Sequence, residues 1–252
     1  MKLSRRTFSL NLLGSLLTFS LVRNLGSMDV FANPVRPVVR KWMVEMEAIT
    51  QQLRQGSVQK VEWQTHIESL LSRVDLKDLM SAIDFNKLAK SAVFPKDHES
   101  AADIEFSNCD GLPDDLSFSP YFYAMKTGTA IVPHGHSNMT SMHMMIKGQA
   151  QCLQFERVSD EAQYLTIRPT SDKVLDVGDV TTMSDQKNNI HWFKALSGPV
   201  FMFNIGVFRL NPNDTLNGRD CIDPVGGEKL KDGLIRARRI EIKEAHRLYG
   251  RS

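Results

Sequence analysis

The chain has 252 residues, 42% hydrophobic and 24% charged, with a formal net charge of +2. That composition is ordinary for a globular protein, and so small a charge excludes an electrostatic argument for nucleic acid as a partner. Beyond the N-terminal region no apolar run reaches the roughly 20 residues that a membrane-spanning helix needs, so no stable span is expected after processing.

The first segment reads as an address. Ser4-Arg5-Arg6-Thr7-Phe8-Ser9-Leu10 precedes a moderately apolar run, Leu12 to Val22, diluted by Gly14, Ser15, Thr18 and Ser20 and closed by Arg23. Val30-Phe31-Ala32 offers small or β-branched residues where a signal peptidase reads. The run resembles the twin-arginine export motif. That resemblance implies that residues 1–32 are a signal peptide recognised by the twin-arginine export machinery, and that the product is periplasmic or extracellular.

Residues 33–115 read as a helical region followed by a linker. Val39, Met43, Met46, Thr50 and Leu53 recur at three- and four-residue spacing, an amphipathic stripe ending near Gly56. Ser57 is the expected cap of a second helix with Trp63, Ile67, Leu70, Leu71 and Val74 on its apolar face. Asp75 is the expected N-cap of a third, carrying Leu79, Met80, Ile83 and Leu88. Such helices could form a lid or a dimerisation arm, which would suit a homodimer, but a layer packed on the outside of another element is the simpler reading. Phe94–Asp115, with Pro95, Gly111 and Pro113, reads as the connection.

From Ser119 the period changes to two. Tyr121, Tyr123 and Met125 alternate with Phe122 and Ala124, and further strand-like runs follow at Ile146–Arg157, Ala162–Arg168, Lys173–Val177 and Pro199–Leu210. Short strands with Gly, Asp or Pro between them predict a mainly β fold, an antiparallel barrel or jelly roll over residues 116–252. The tail alternates weakly from Lys229 and then reads helical through Glu241–Leu248. Its Arg236, Arg238, Arg239, Lys243 and Arg247 are expected to form a solvated face.

The stretch Gly128–Gly148 (GTAIVPHGHSNMTSMHMMIKG) places His134 and His136 two apart, where an extended chain aims both side chains to one face. His191 follows a Gly178-Asp179 turn and a turn-rich Ser184–Asn189, and supplies a third imidazole. Gly128, His134, His136, Gly148, Gly178-Asp179 and His191 resemble the two motifs of the cupin superfamily. The position of the family's Glu falls on Ser141, so the resemblance is to the three-His variant, as in the thiol dioxygenases. It implies a jelly-roll barrel with a metal at His134, His136 and His191. The second motif departs from the family in its longer, Asn-rich loop and in lacking the usual Pro and Gly. His143, two residues past Ser141, is expected to face the same cavity as a fourth ligand, a group behind the ligands or a catalytic proton carrier.

Neutral imidazoles suit Fe(II), Mn, Ni, Cu and Zn alike, with Fe(II) favoured by the thiol dioxygenase resemblance. Met139, Met142, Met144 and Met145 raise a Cu(I) alternative, though alternation should turn Met142 and Met144 away from His143 towards the helices. Cys109, Cys152 and Cys221 make an odd number, from which one pair could bridge in an oxidising compartment. No nucleophile turn of the G-x-S-x-G kind is present. Three functions stay open at this point: an Fe(II) dioxygenase acting on a small organic substrate, a cupin isomerase or decarboxylase using Mn, Ni or Zn, and a module that binds a metal or ligand without turnover.

Overall fold

The computed structural model describes residues 37–106, 112–113, 115–214 and 218–251. The expected signal peptide and Cys109 lie outside them. Helices come first: α1 (Pro37–Arg54), α2 (Lys60–Leu71), α3 (Leu76–Ala82) and α4 (Phe85–Ser91). Nine strands follow: β1 (Ser100–Asp103), β2 (Ser119–Met125), β3 (Ala130–Gly135), β4 (Met139–Asp160), β5 (Tyr164–Leu175), β6 (Val180–Ser184), β7 (Ile190–Phe208), β8 (Asp220–Lys229) and β9 (Ile235–Arg239). A last helix, α5, covers Ile242–Tyr249. No helix among the described residues is long and apolar enough to cross a membrane.

The strands pair in the order β1-β2-β7-β3-β8-β9-β5-β4-β6, and β7 also pairs with β4. That extra pairing closes β7, β3, β8, β9, β5 and β4 into an antiparallel barrel of six strands, with β2, β1 and β6 continuing the sheet beyond it. The mainly β barrel expected from the sequence is therefore present. Its strands are longer than the sequence runs. β4 extends back through the histidine motif to Met139, β5 joins two runs, and β7 carries both His191 and the Pro199 run. Bulges let the long strands bend round the barrel without ending. The motif's closing Gly148 sits at such a bend with φ +80, where an added Cβ would lie 2.8 Å from the carbonyl oxygens of both Ser197 and Pro199.

The helices form a layer on the sheet. Met43, Met46, Trp63, Ile67 and Leu71 bury against Met142, Met144, Phe201, Phe203 and Ile205 in one apolar cluster. Met142 and Met144 thus face the helices as alternation requires, while Met145 joins a separate cluster with Met125, Ile131 and Phe193. The polar seam is matched as well: Gln64 donates to Thr182 and accepts from Ser184 Oγ, and Lys60 pairs with Asp185 at 2.7 Å. These pairs, the two glutamine bonds buried and the ion pair partly so, set the register of α2 on β6, since a slip would strand each of them.

Two helix boundaries differ from expectation. The N-cap of α2 is Gln59 rather than Ser57, whose hydroxyl instead bonds back to the Gln52 carbonyl. The third helix is two, because Asp84 adopts a left-handed φ of 49 and caps α4 by accepting from Lys87 N. Asp75 does cap α3, accepting from Lys77 N and Asp78 N. β1, inside the segment expected as a linker, β6 and β8 are strands that the sequence did not announce, and β9 takes up the weakly alternating tail. The arginines near the C-terminus are paired: Arg236 with Glu161, Arg238 with Glu244, and Arg239 with Asp160 and Asp220.

Candidate metal centre

His134 comes from β3, His136 from the residue just beyond its end, and His191 from the start of β7. β3 and β7 are neighbours, yet plain pairing would not aim these side chains together. Ile131 lies opposite Phe193 and His134 opposite His191, so β3 carries one extra residue between the pairs. The irregularity spans Val132 and Pro133, and a proline, which has no N–H for the ladder, is well placed there. The bulge turns Ile131, His134, Phe193 and His191 to one side. Their rings meet: His134 and His191 centroids are 4.3 Å apart, His134 and His136 4.6 Å, His136 and His191 5.4 Å.

Among the described residues these three form the one group able to hold a metal ion, with ligand atoms all within 4.8 Å of one another. Two have a fixed tautomer. His134 Nδ1 donates to the Val132 carbonyl at 2.7 Å and His191 Nδ1 to that of Asn189 at 3.3 Å. Each Nε2 is left with a lone pair directed into the cavity, the usual arrangement behind a ligating imidazole. Burial keeps the group uncharged. Desolvation, then neighbouring His191 and Arg219, hold His134 well below its ordinary pKa, and His191 is lowered in the same way by burial and by His136. His136 falls to about 4 through burial, then the charges of Arg219 and Arg157. Three neutral nitrogen donors without a carboxylate fit a divalent transition ion.

The other expected residues sort clearly. Ser141 does not reach for the ligand set: its hydroxyl donates to the Ile205 carbonyl at 3.0 Å and accepts from Asn204 Nδ2 at 2.8 Å. His143 lies on the same cavity wall but outside the three-His group, with its ring 5.9 Å from that of His191, 5.8 Å from Tyr123 and 4.9 Å from Phe193. Its Nδ1 is buried without a partner, and burial, then His136 and Arg219, push its pKa down to about 3. Of Met139, Met142, Met144 and Met145, Met139 alone lines this cavity, together with Ile131, Met183 and Phe208. Cys152 and Cys221 are free, buried thiols, and Cys152 is pushed up to about 12 by desolvation.

Two further residues of the site, Asn189 and Arg219, were not among the candidate site residues that the sequence offered. Asn189 donates from Nδ2 to the His136 carbonyl at 2.8 Å and to that of Ser184 at 3.2 Å, while its own carbonyl holds His191. Asn189 therefore ties down the backbone at His136 and, through its main-chain carbonyl, the ring of His191, and the Asn-rich loop is part of the site. Arg219, one residue before β8, lines both the histidine cavity and a shallower hollow of about 310 Å³ outside His136. Pairing of Gly135 with Asp220 brings it there. Burial disfavours its charge, but the Glu99 carboxylate, by charge and by hydrogen bond, outweighs that and raises its pKa.

No protein-family model matches the chain, and no curated protein matches it in sequence. Solved structures that it is similar to include a cupin superfamily protein of Desulfitobacterium hafniense (13% identity, 48% of this chain and 87% of that one, TM-score 0.32). KdgF of Halomonas sp. is similar over 43% of this chain and 76% of its own, at 13% identity and TM-score 0.31. An oxalate oxidase is similar over 46% and 53%, at 13% identity and TM-score 0.34. Likeness at that level decides nothing about chemistry, which must come from the residues of the cavity.

Proposed function

We propose that His134, His136 and His191 hold one divalent metal, Fe(II) first among the candidates, in an exported enzyme that oxidises a small anionic organic substrate with dioxygen. The observation that carries this reading is the donor set. Three neutral imidazoles, two of them buried and with Nδ1 already engaged, supply ligands and no negative charge. A bound ion would keep its full double charge and open positions, which supply sites for an anionic substrate and dioxygen together.

The chain's own residues favour an anion. Arg219 brings a guanidinium to the cavity wall, where desolvation strengthens its pull on a carboxylate or thiolate. Ile131, Met139, Met183 and Phe208 exclude water from the same space. Burial holds His143 neutral, with Nδ1 unsatisfied. An anion placed beside it would raise its proton affinity and let Nδ1 take or hold a substrate proton.

The test is oxygen uptake by the full chain reconstituted with Fe(II) and offered thiols, phenols and small diones. The reading expects uptake with one of these classes and its loss in His143→Gln with metal retained. Full occupancy by zinc or copper, with no uptake after Fe(II) loading, would favour a Lewis-acid enzyme or a binding module instead.

A further inference from the structure

The hollow of about 310 Å³ outside His136 is walled by three guanidiniums, those of Arg157, Arg219 and Arg239, and by the carboxylate of Asp220. Arg157 comes from β4, Asp220 from the start of β8 and Arg239 from the end of β9, while His136 follows β3. Arg157 bonds Asp220 through Nη2 at 2.5 Å and Asp160 through Nη1 at 3.0 Å. Arg239 bonds the same two carboxylates, Asp220 from Nε at 3.0 Å and Asp160 from Nη2. Two cations are thus clamped side by side by two anions, which fixes both guanidiniums before any ligand arrives. Gly135 lets this clamp approach the histidine motif. A Cβ added there would lie 3.3 Å from Arg157 Nη2, so the guanidinium packs against the backbone between His134 and His136.

The carboxylates that balance this charge lie mostly elsewhere. Asp160, 50% exposed, and Glu99, the buried partner of Arg219, are not part of the hollow's wall. The space itself is therefore faced by three positive groups and one negative. Those four side chains are only 22–27% exposed, so water screens them incompletely. Arg157 Nε is also buried with no partner, which leaves the clamp short of acceptors for the donors that it holds. His136 and Arg219 belong to the walls of both the hollow and the histidine cavity, so the two spaces are neighbours across those side chains.

We propose that the hollow is a second anion subsite and that the substrate is a dicarboxylate, with one carboxylate in the histidine cavity beside Arg219 and the other in the hollow against Arg157 and Arg239. This deepens the anionic-substrate reading given above and rests on it. A planar carboxylate matches the fork of a guanidinium, and its single charge suits a wall that also carries Asp220, which would repel a phosphate dianion more strongly. Arg219, common to both spaces, faces both ends of such a molecule. The carbon chain between the two carboxylates must pass His136, so the shortest diacids cannot fill both places.

The experiment titrates the Co(II)-loaded full chain, at fixed pH and ionic strength, with malonate, succinate, glutarate and adipate and with the monocarboxylate of equal carbon number for each. The visible spectrum of the metal reads binding. One diacid between succinate and adipate should bind roughly tenfold or more tighter than its monocarboxylate counterpart, the scale of one added charge-assisted contact. Arg157→Gln and Arg239→Gln each keep a hydrogen-bonding side chain and remove a charge from the hollow, and each should bring that ratio below about threefold. Thermal unfolding shows that each variant is folded. Because the ratio compares two ligands on one protein, a general loosening of the site cancels from it. Chelation of the ion by the diacid alone would favour malonate and leave the ratio unchanged in both variants. That result, or diacids no tighter than monocarboxylates, would overturn the proposal and leave the anionic-substrate reading standing. A chain that takes up no Co(II), or a spectrum that no carboxylate moves, would overturn both.

Discussion

Removing the side chain of Asn189 should loosen the candidate site without touching any imidazole. Asn189 is 2% exposed and its Nδ2 serves the carbonyls of His136 and Ser184. Asn189→Ala or Asn189→Leu leaves two buried carbonyls without a donor, at about 1–3 kcal/mol each before relaxation. A total of about 2–4 kcal/mol in a domain of this size corresponds to a Tm lower by roughly 5–15 °C. Leu fills the volume that Ala empties, so a similar loss in both assigns the effect to hydrogen bonds rather than packing. The His136 loop would be freed as well, and groups that orient ligands are worth about 10–100-fold in metal affinity. Thermal unfolding of the metal-free protein and competition with a coloured chelator measure the two effects. A Tm within about 2 °C of wild type together with unchanged metal affinity would refute the bracing role.

Other consequences are open to direct measurement. His134, His136, His143 and His191 are all depressed, to about 4 for His136 and about 3 for His143, so the unfolded chain takes up protons first as pH falls through 6.5. Metal-free stability should therefore fall from pH 7.5 to pH 5, by up to about 1.4 kcal/mol per pH unit for each imidazole. Urea titrations at three pH values check this, and His143→Gln should show a shallower slope. Gly135→Ala would place a Cβ 2.5 Å from Asn189 Oδ1 and 3.3 Å from Ile190 Cγ1. It should cost about 1–3 kcal/mol in urea unfolding and weaken metal binding. Met142→Ala, at a fully buried position between sheet and helices, should cost about 2–5 kcal/mol while leaving metal content intact.

The histidine motif was legible because its spacing is local. His134 and His136 lie two residues apart, and the turn before His191 is marked by Gly and Asn. The barrel was legible because period-two runs recur, and the outward Met142 and Met144 follow from the same alternation. Strand lengths were not legible, since a strand that bends through bulges keeps pairing where its side-chain pattern breaks. The Val132–Pro133 bulge itself has no sequence mark beyond the proline, though it decides which way His134 points. β8 escaped because its buried residues, Cys221, Ile222 and Pro224, do not alternate, and β9 showed only weakly because it buries just Ile235 and Ala237 between arginines. Arg219 and Asn189 escaped for a different reason. Their roles depend on contacts with Glu99, 120 residues away, and with His136, 53 residues away, which no window on the sequence contains.

The proposed centre is one ion at three imidazoles. Elemental analysis of the full chain, purified without an affinity tag and compared with His134→Ala, His136→Ala and His191→Ala, tests it most directly. The expected result is close to one metal per chain, iron foremost, with most of it lost in each variant because a third of the donor set is gone. Equal metal content in wild type and all three variants, or none in wild type after loading with Fe(II), Mn(II) or Zn(II), would contradict it.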